Sequence, residues 1–166
     1  MATHAEHEQA TLAQAPLASD LCWLLSRASH ALNTEMTAAL EELGISPRAH
    51  AVLTTAMTGQ HTQSEIARIV GLDKTTMVVT IDELEGSGLA ERRPSDRDRR
   101  ARVIAVTEAG RRRVKQADKI LDRVREDVLG ELPAEDRDSF LRALATLAGG
   151  RLAEPVTCAH PVRRRA

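Results

Sequence analysis

Residues 62–88 read TQSEIARIVGLDKTTMVVTIDELEGSG, and this stretch decides the fold. Residues 62–65 have the Thr-x-x-Glu form of a capping box, which opens a short helix. That helix ends at Gly71, and Asp73 then caps a second helix. The inward positions of the second helix recur at three- and four-residue steps, at Met77, Ile81 and Leu84. Two short helices joined by a tight turn form a helix-turn-helix.

The segments after this motif predict a β-hairpin with a basic tip. Residues 89–93 and 101–106 alternate or concentrate β-branched residues, and residues 94–100 between them are polar and turn-forming. From residue 91 to residue 113 there are nine arginines and four acids, a local excess of five positive charges. The net charge of the whole chain is only −1, so the chain as a whole does not attract phosphates. A local basic patch of this kind is what phosphate recognition needs. A solvated charged surface is the alternative.

Two helices are predicted before the helix-turn-helix. Apolar residues recur at three- and four-residue steps from Leu21 to a stop at Gly44, which indicates a long amphipathic helix. Ser46 then occupies an N-cap position, and Pro47 fits the first position of a helix that runs to about Met57.

Two further helices are predicted after the hairpin. Thr107 caps the first, and Pro133 restarts the second. The first has a coiled-coil-like stripe formed by Val114, Ala117, Leu121, Val124 and Val128. The central helix-turn-helix and hairpin are too small to cover the apolar stripes of the first helix and of the last two helices. We therefore expect a homodimer in which residues 17–44 and 107–150 form the dimerisation helices.

Composition and length set the class of protein. We expect a mainly α fold with a small β-hairpin, as one domain over residues 17–153 between tails at 1–16 and 154–166. No signal peptide and no membrane-spanning run are visible, and two cysteines are too few for a disulfide framework, so we expect a soluble cytoplasmic protein. The sequence has no Gly-rich phosphate loop, zinc-protease motif or nucleophile elbow, so we expect neither an enzyme nor a cofactor.

Five short motifs follow the capping box in a fixed order. They are GLDKTT at 71–76, LEGSGL at 84–89, ERR at 91–93, DRR at 98–100 and VTEAGR at 106–111. With their order and spacing, residues 62–111 resemble the MarR family of winged helix-turn-helix transcriptional regulators. The resemblance implies a winged DNA-binding lobe over residues 46–106 and double-stranded DNA as partner. It also implies a homodimeric repressor that binds inverted-repeat operator DNA and is released by a small-molecule effector.

The resemblance implies which residues of the recognition helix approach DNA. They are Lys74, Thr75, Thr76, Val78, Val79 and Thr80. The two neighbouring threonines lie at the helix N-terminus, where hydroxyls and backbone N–H groups bind phosphates or base edges. Members of the family often have a polar residue or arginine near positions 78 and 79. The two valines here therefore indicate apolar contact with a thymine methyl group, unless one or both pack inward.

The wing is predicted to contribute further contacts, through Arg97, Asp98, Arg99 and Arg100. The resemblance implies that Arg100 enters the minor groove while Asp98 holds its guanidinium. An exposed basic loop without DNA contacts is the alternative. Arg68 and Arg92 are weaker phosphate-binding candidates.

The family is known for ligands that bind near the junction of the stem and the DNA-binding lobe. Trp23, His30 and His50 come from the first two helices and are our candidates for lining such a pocket. Ordinary core packing is the alternative for each of the three. The sequence does not identify the effector.

Cys22 is a candidate redox sensor. Residues 21–25, LCWLL, are similar to the first helix of the family branch that senses organic hydroperoxides, in which tyrosine hydroxyls activate the cysteine. This chain has no tyrosine, which favours an inert, buried cysteine over a sensor. Cys158 is a candidate resolving partner.

Two further alternatives concern metal binding and protein binding. The six histidines are scattered, and only His4 and His7 lie close together, beside Glu6 and Glu8, so we expect no metal site. A helical dimer that binds another protein and no DNA is the remaining alternative.

Overall fold

The structure is a computed structural model that describes residue 17, residues 19–96 and residues 100–154 of the 166-residue chain. In chain order the elements are α1 (Leu21–Ala39), α2 (Pro47–Ala56), α3 (Gln63–Val70), α4 (Lys74–Gly86), β1 (Ala90–Pro94), β2 (Arg102–Val106), α5 (Glu108–Gly130) and α6 (Ala134–Gly149). The predicted mainly α fold with a small hairpin is confirmed. Two compact units divide the chain between Val124 and Arg125.

The predicted capping residues begin their helices as expected. The Thr62 hydroxyl accepts a hydrogen bond from the Glu65 backbone N–H, and the Glu65 carboxylate accepts one from the Thr62 backbone N–H, 2.7 Å away. This backbone bond, with a second from the Thr62 hydroxyl, lowers the pKa of the Glu65 carboxyl. Ser46, Asp73 and Thr107 likewise accept from backbone N–H groups of the first turns of α2, α4 and α5.

The first helix is shorter than predicted. It ends at Ala39, and a short 3₁₀ helix, Glu41–Leu43, replaces its expected last turn before Gly44. Leu40 and Ile45 on either side of this tighter turn are both buried in the core. Gly44 has a φ of 63°, in the left-handed region that favours glycine, so the chain reverses there as the sequence predicts.

One apolar core joins α2, α3, α4, the hairpin and the first part of α5. Its fully buried large side chains include Leu53 from α2 and Ile66 from α3. The predicted inward positions of α4 are confirmed, because Met77, Ile81 and Leu84 are at most 2% exposed. Burial of this one face fixes which side of α4 points outward.

The hairpin is attached to the chain segment that precedes α3. Its strands are antiparallel, with Ala90 opposite Val106. The Ile104 backbone N–H donates to the His61 carbonyl oxygen at 3.0 Å, and Thr62 forms an isolated bridge with Val103. The strand β2 is therefore held by the segment that leads into α3.

Apolar faces of α1 and α6 are uncovered in the single chain. Neither helix contains a buried residue. The exposed large apolar side chains of the two helices are Leu21, Leu24, Phe140, Leu141, Leu144 and Leu147. None of the helices in the described ranges combines the length and apolar character that crossing a bilayer requires.

The start of α5 packs closely against the chain that enters the hairpin, and this generates a stability prediction. A Cβ on Gly110 would overlap the carbonyl oxygen of Leu89 and lie 2.8 Å from Val106 Cγ1. We expect Gly110→Ala to lower the free energy of unfolding by about 3 kcal/mol, because backbone must move to admit the methyl group. Gly130→Ala is the matched control, since a Cβ there meets nothing within 4 Å. Equal urea midpoints for the two variants would contradict this packing.

Candidate nucleic-acid interface

One face of α4 is exposed along the whole length of the helix. The exposed positions are Lys74, Thr75, Val78, Val79, Asp82, Glu83 and Gly86. Val78 is 36% exposed and Val79 is 47% exposed. The alternative in which the valines pack inward is therefore wrong, and both side chains are accessible to a partner.

Thr80 does not belong to this face, which corrects the sequence-based expectation. It is 0% exposed, and its hydroxyl donates to the Thr76 carbonyl oxygen at 2.8 Å. Thr80 lies three residues after Met77 and four before Leu84, on the face that enters the core. The backbone hydrogen bond satisfies its hydroxyl there, so burial carries no unpaired polar group.

The turn before α4 presents the N-terminus of that helix at the surface. Gly71 ends α3 with a φ of 75°, and Asp73 accepts hydrogen bonds from the Thr76 backbone N–H at 2.9 Å and the Thr76 hydroxyl at 2.5 Å. These bonds, the hydroxyl's first, lower the pKa of the Asp73 carboxyl. Because the Thr76 hydroxyl donates to Asp73, the exposed Thr75 is the better placed of the two threonines for an external partner.

Arg92 is not a free phosphate-binding cation, which is a second correction. Its backbone N–H donates to Glu85 Oε1 at 2.7 Å, and its guanidinium pairs with the other oxygen of the same carboxylate. The guanidinium also lies 2.8 Å from Asp82 Oδ1 and 3.4 Å from Gln63 Oε1. Arg92 thus ties β1 to α4 and α3, and it balances two carboxylates of α4.

Gln60 anchors the start of the wing loop, directly after β1. The Gln60 amide donates to Asp96 Oδ2 at 2.5 Å, and its oxygen lies 3.3 Å from both the Ser95 hydroxyl and the Asp96 backbone N–H. Arg100 is exposed at the other end of this loop, and Arg68 is exposed in the last turn of α3. The predicted wing residues Arg97, Asp98 and Arg99 lie outside the described residues.

An open cleft of about 570 Å³ lies between α1, α2 and the turn that begins α4. It is lined by Ser29, Asn33, Pro47, Arg48, Val70, Gly71, Leu72, Asp73 and Thr76. The expectation that Trp23, His30 and His50 line a pocket at the junction is wrong for this cleft. The residues that do line it include the cap of α4, so a molecule bound there would touch the start of the recognition helix.

The three expected pocket residues have other surroundings. His50 is half-buried, and its Nε2 lies 2.8 Å from Asp118 Oδ1 of α5. Trp23 is half-buried beneath the Arg27 guanidinium, which lies 5.8 Å from the ring centroid. His30 is exposed on α1.

Cys22 is exposed, so the expectation of a buried thiol is wrong for the single chain. It lies on α1, none of whose residues is buried. Cys158 and the pair His4 and His7 lie outside the described residues. Across the ranges that the structure describes, no three metal-binding side chains are grouped to hold an ion.

Sequence reasoning missed three residues that shape the site. Arg48 follows the Ser46-Pro47 helix start directly, so its place at the beginning of α2 was readable from the sequence. Gln60 contacts Asp96, which lies 36 residues later in the chain, and Glu85 contacts Arg92, which lies 7 residues later. No local pattern marks such contacts, because the fold brings them together.

A helix-turn-helix with an exposed second helix, next to an antiparallel hairpin, defines a winged helix protein. The chain is 30% identical to CouR from Rhodococcus jostii RHA1, solved with p-coumaroyl-CoA, over 87% of this chain and 99% of that one, with a TM-score of 0.73. It is 31% identical to a MarR-family transcriptional regulator from Rhodococcus sp. RHA1, over 81% of this chain and 96% of that one, with a TM-score of 0.73.

A third similar structure is the transcriptional repressor CouR bound to a 23-mer DNA duplex. It is 32% identical over 80% of this chain and 94% of that one, with a TM-score of 0.71. The family model described as the MarR family matches residues 43–101. The chain belongs to the MarR family of winged helix transcriptional regulators.

The ion cluster around Arg92 generates a prediction about the wing. We expect Arg92→Met to lower the free energy of unfolding by about 2 kcal/mol, because it leaves the half-buried Glu85 carboxylate without its cation. Arg93→Met is the control, since Arg93 is 61% exposed and pairs only with Glu91 among the ion pairs of the described residues. There we expect less than about 0.5 kcal/mol. The same small loss for both variants in urea unfolding would contradict a clamp at Arg92.

Proposed function

We propose that the protein is a homodimeric repressor that binds inverted-repeat operator DNA and releases it when a small molecule binds. The observation that carries this proposal is the outward face of α4, where Lys74 and Thr75 offer a cation and a hydroxyl group directly after the Asp73 cap. This end of the helix fits a major groove, where phosphates flank the base edges. We also propose that the protein acts without catalysis and in the cytoplasm, where its DNA partner would lie.

In the proposed complex, α4 enters the major groove and the wing reaches the adjacent minor groove. Lys74 and Thr75 contact phosphates or bases at the helix N-terminus, where the helix dipole also favours an anion. We propose that Arg100 enters the minor groove with its guanidinium held by Asp98, and that Arg97 and Arg99 of the same loop add further contacts. Arg68 adds a phosphate contact from α3.

The proposed dimer covers the apolar faces of α1 and α6. Phe140 is 47% exposed and Leu21 is 59% exposed, which is costly for a single chain in water. Two copies related by a two-fold axis would bury these faces and present two α4 helices to one side of a duplex. Their spacing would then match the two half-sites of an inverted repeat.

The salt dependence of DNA binding tests the wing contact. We expect log K for operator binding to fall less steeply with log salt for Arg100→Ala, with the slope reduced by about two, because each protomer then lacks one cation among the phosphates that flank the minor groove. Arg123→Ala is the control, because Arg123 is exposed fifteen residues after the start of α5, about 22 Å along the helix axis. Gel shifts over a salt series measure both slopes. An unchanged slope for Arg100→Ala, or an equal change for the control, would contradict this placement.

The cleft beside α4 is the proposed effector site. Its lining includes one basic residue, Arg48, and one acidic residue, Asp73. Because CouR was solved with p-coumaroyl-CoA, we propose an acyl-coenzyme A thioester as the effector class, with a phosphate held by Arg48. A ligand that touches Asp73 and Thr76 shifts the start of α4, and roughly 1–3 kcal/mol of coupling is enough to release DNA.

Titration with p-coumaroyl-CoA tests the effector proposal. We expect it to dissociate the protein from operator DNA and expect coenzyme A alone to be much weaker, because it lacks the acyl group. Arg48→Ala should raise the concentration needed by about tenfold, and Arg112→Ala, at an exposed position of α5, should leave it unchanged. Fluorescence anisotropy of labelled duplex measures each release. The effector assignment fails if wild-type protein stays bound at saturating thioester, or if both variants respond alike.

A further inference from the structure

The outward face of α4 changes chemistry along its length. It begins with Lys74 and Thr75, continues with Val78 and Val79, and ends with Asp82 and Glu83. Residues three and four apart share a helix face, so Thr75 and the two valines form one continuous surface. At the far end Asp82 is paired with Arg92, whereas Glu83 is repelled by phosphates, which favours docking of the N-terminal half.

The middle of this surface has no side-chain hydrogen-bonding group to offer. Valine has no polar atom in its side chain, and the nearby Thr80 is buried with its hydroxyl bonded to the Thr76 carbonyl oxygen. The Thr76 hydroxyl itself donates to Asp73. Base pairs opposite positions 78 and 79 therefore cannot be distinguished by hydrogen bonds from these side chains.

Thymine is the natural base that presents an apolar group in the major groove, its 5-methyl group. Val78 and Val79 together form an exposed apolar surface in the middle of the outward face. We propose that these two valines set operator specificity by contacting thymine 5-methyl groups, an assignment that rests on the proposed DNA-binding function. Burial of a methyl group against valine is favourable, whereas the polar major-groove edge of a G·C pair would lose solvation there without a partner.

The reach of the surface limits how many bases it reads. From Thr75 to Val79 the helix rises about 6 Å, and successive base pairs are about 3.4 Å apart, so the surface spans about two base-pair steps. We therefore expect one or two methyl-dependent thymines in each half-site, next to the pair approached by Thr75.

Replacing thymine by deoxyuridine in the operator tests this assignment, because it removes only the methyl group and keeps every hydrogen-bonding group. The operator is first obtained by selecting duplexes with a randomised core on the full-length protein. Each thymine of the selected duplex is then replaced singly, and the Kd is measured for the wild type and for the double variant Val78→Ala, Val79→Ala. Both substitutions introduce alanine, the best helix former, at exposed positions, and circular dichroism checks the fold.

We expect deoxyuridine at one or two positions in each half-site to weaken wild-type binding about fourfold per methyl group, and the double variant to lose nothing further there. Deoxyuridine outside the half-sites is the control and should have no effect.

Unchanged wild-type affinity at every thymine would overturn the assignment. So would an equal loss in both proteins, because the methyl group would then act through the shape of the duplex. If no duplex is enriched, the proposed function fails and this assignment fails with it.

Discussion

The burial of one face of α4 is the constraint on which the rest of the interface depends. Met77, Ile81 and Leu84 enter the shared core, and each is worth roughly 2 kcal/mol when removed from water. Turning the helix about its axis would sacrifice an amount comparable to the whole stability of a small domain. The outward position of Thr75 and of the valines is therefore a consequence of packing on the opposite face.

A helix cap at one end of α4 and a set of ion pairs near the other end also hold its orientation. Asp73 caps the N-terminus, and Arg92 holds the C-terminal part to β1 through Glu85 and Asp82. The wing and the recognition helix are thus linked by ion pairs as well as by the core. Asp73 also lines the cleft between α1, α2 and this turn, so the residue that caps α4 is also part of the proposed effector site. A ligand there needs no long pathway to affect DNA binding.

Much of the fold could be predicted from the sequence, because its signals are local. Caps such as Thr62 and Asp73 and turns such as Gly71 act within a few residues, and the structure confirms each of them. The shortened first helix was missed, because burial of Leu40 depends on the tertiary core.

The site was predictable only in part, because some of its features depend on tertiary packing. Val78 and Val79 face outward as expected, whereas Thr80 is buried because it shares the inward face with Met77. A basic residue such as Arg92 looks available in the sequence, and only the packing of β1 against α4 reveals its partners. The cleft depends on α1 lying near the turn before α4, and no sequence spacing reports that proximity.

The most direct test is cleavage of operator DNA by an iron chelate tethered to α4. Val79→Cys carries the chelate in a background in which Cys22 and Cys158 are serine, and Arg123→Cys in the same background is the comparison. The account predicts strand cleavage by the Val79 probe confined to a few base pairs within each half-site, with little from the Arg123 probe. Cleavage by the Val79 probe that is absent, or no more localised than that from position 123, would contradict the claim that the outward face of α4 lies in the major groove.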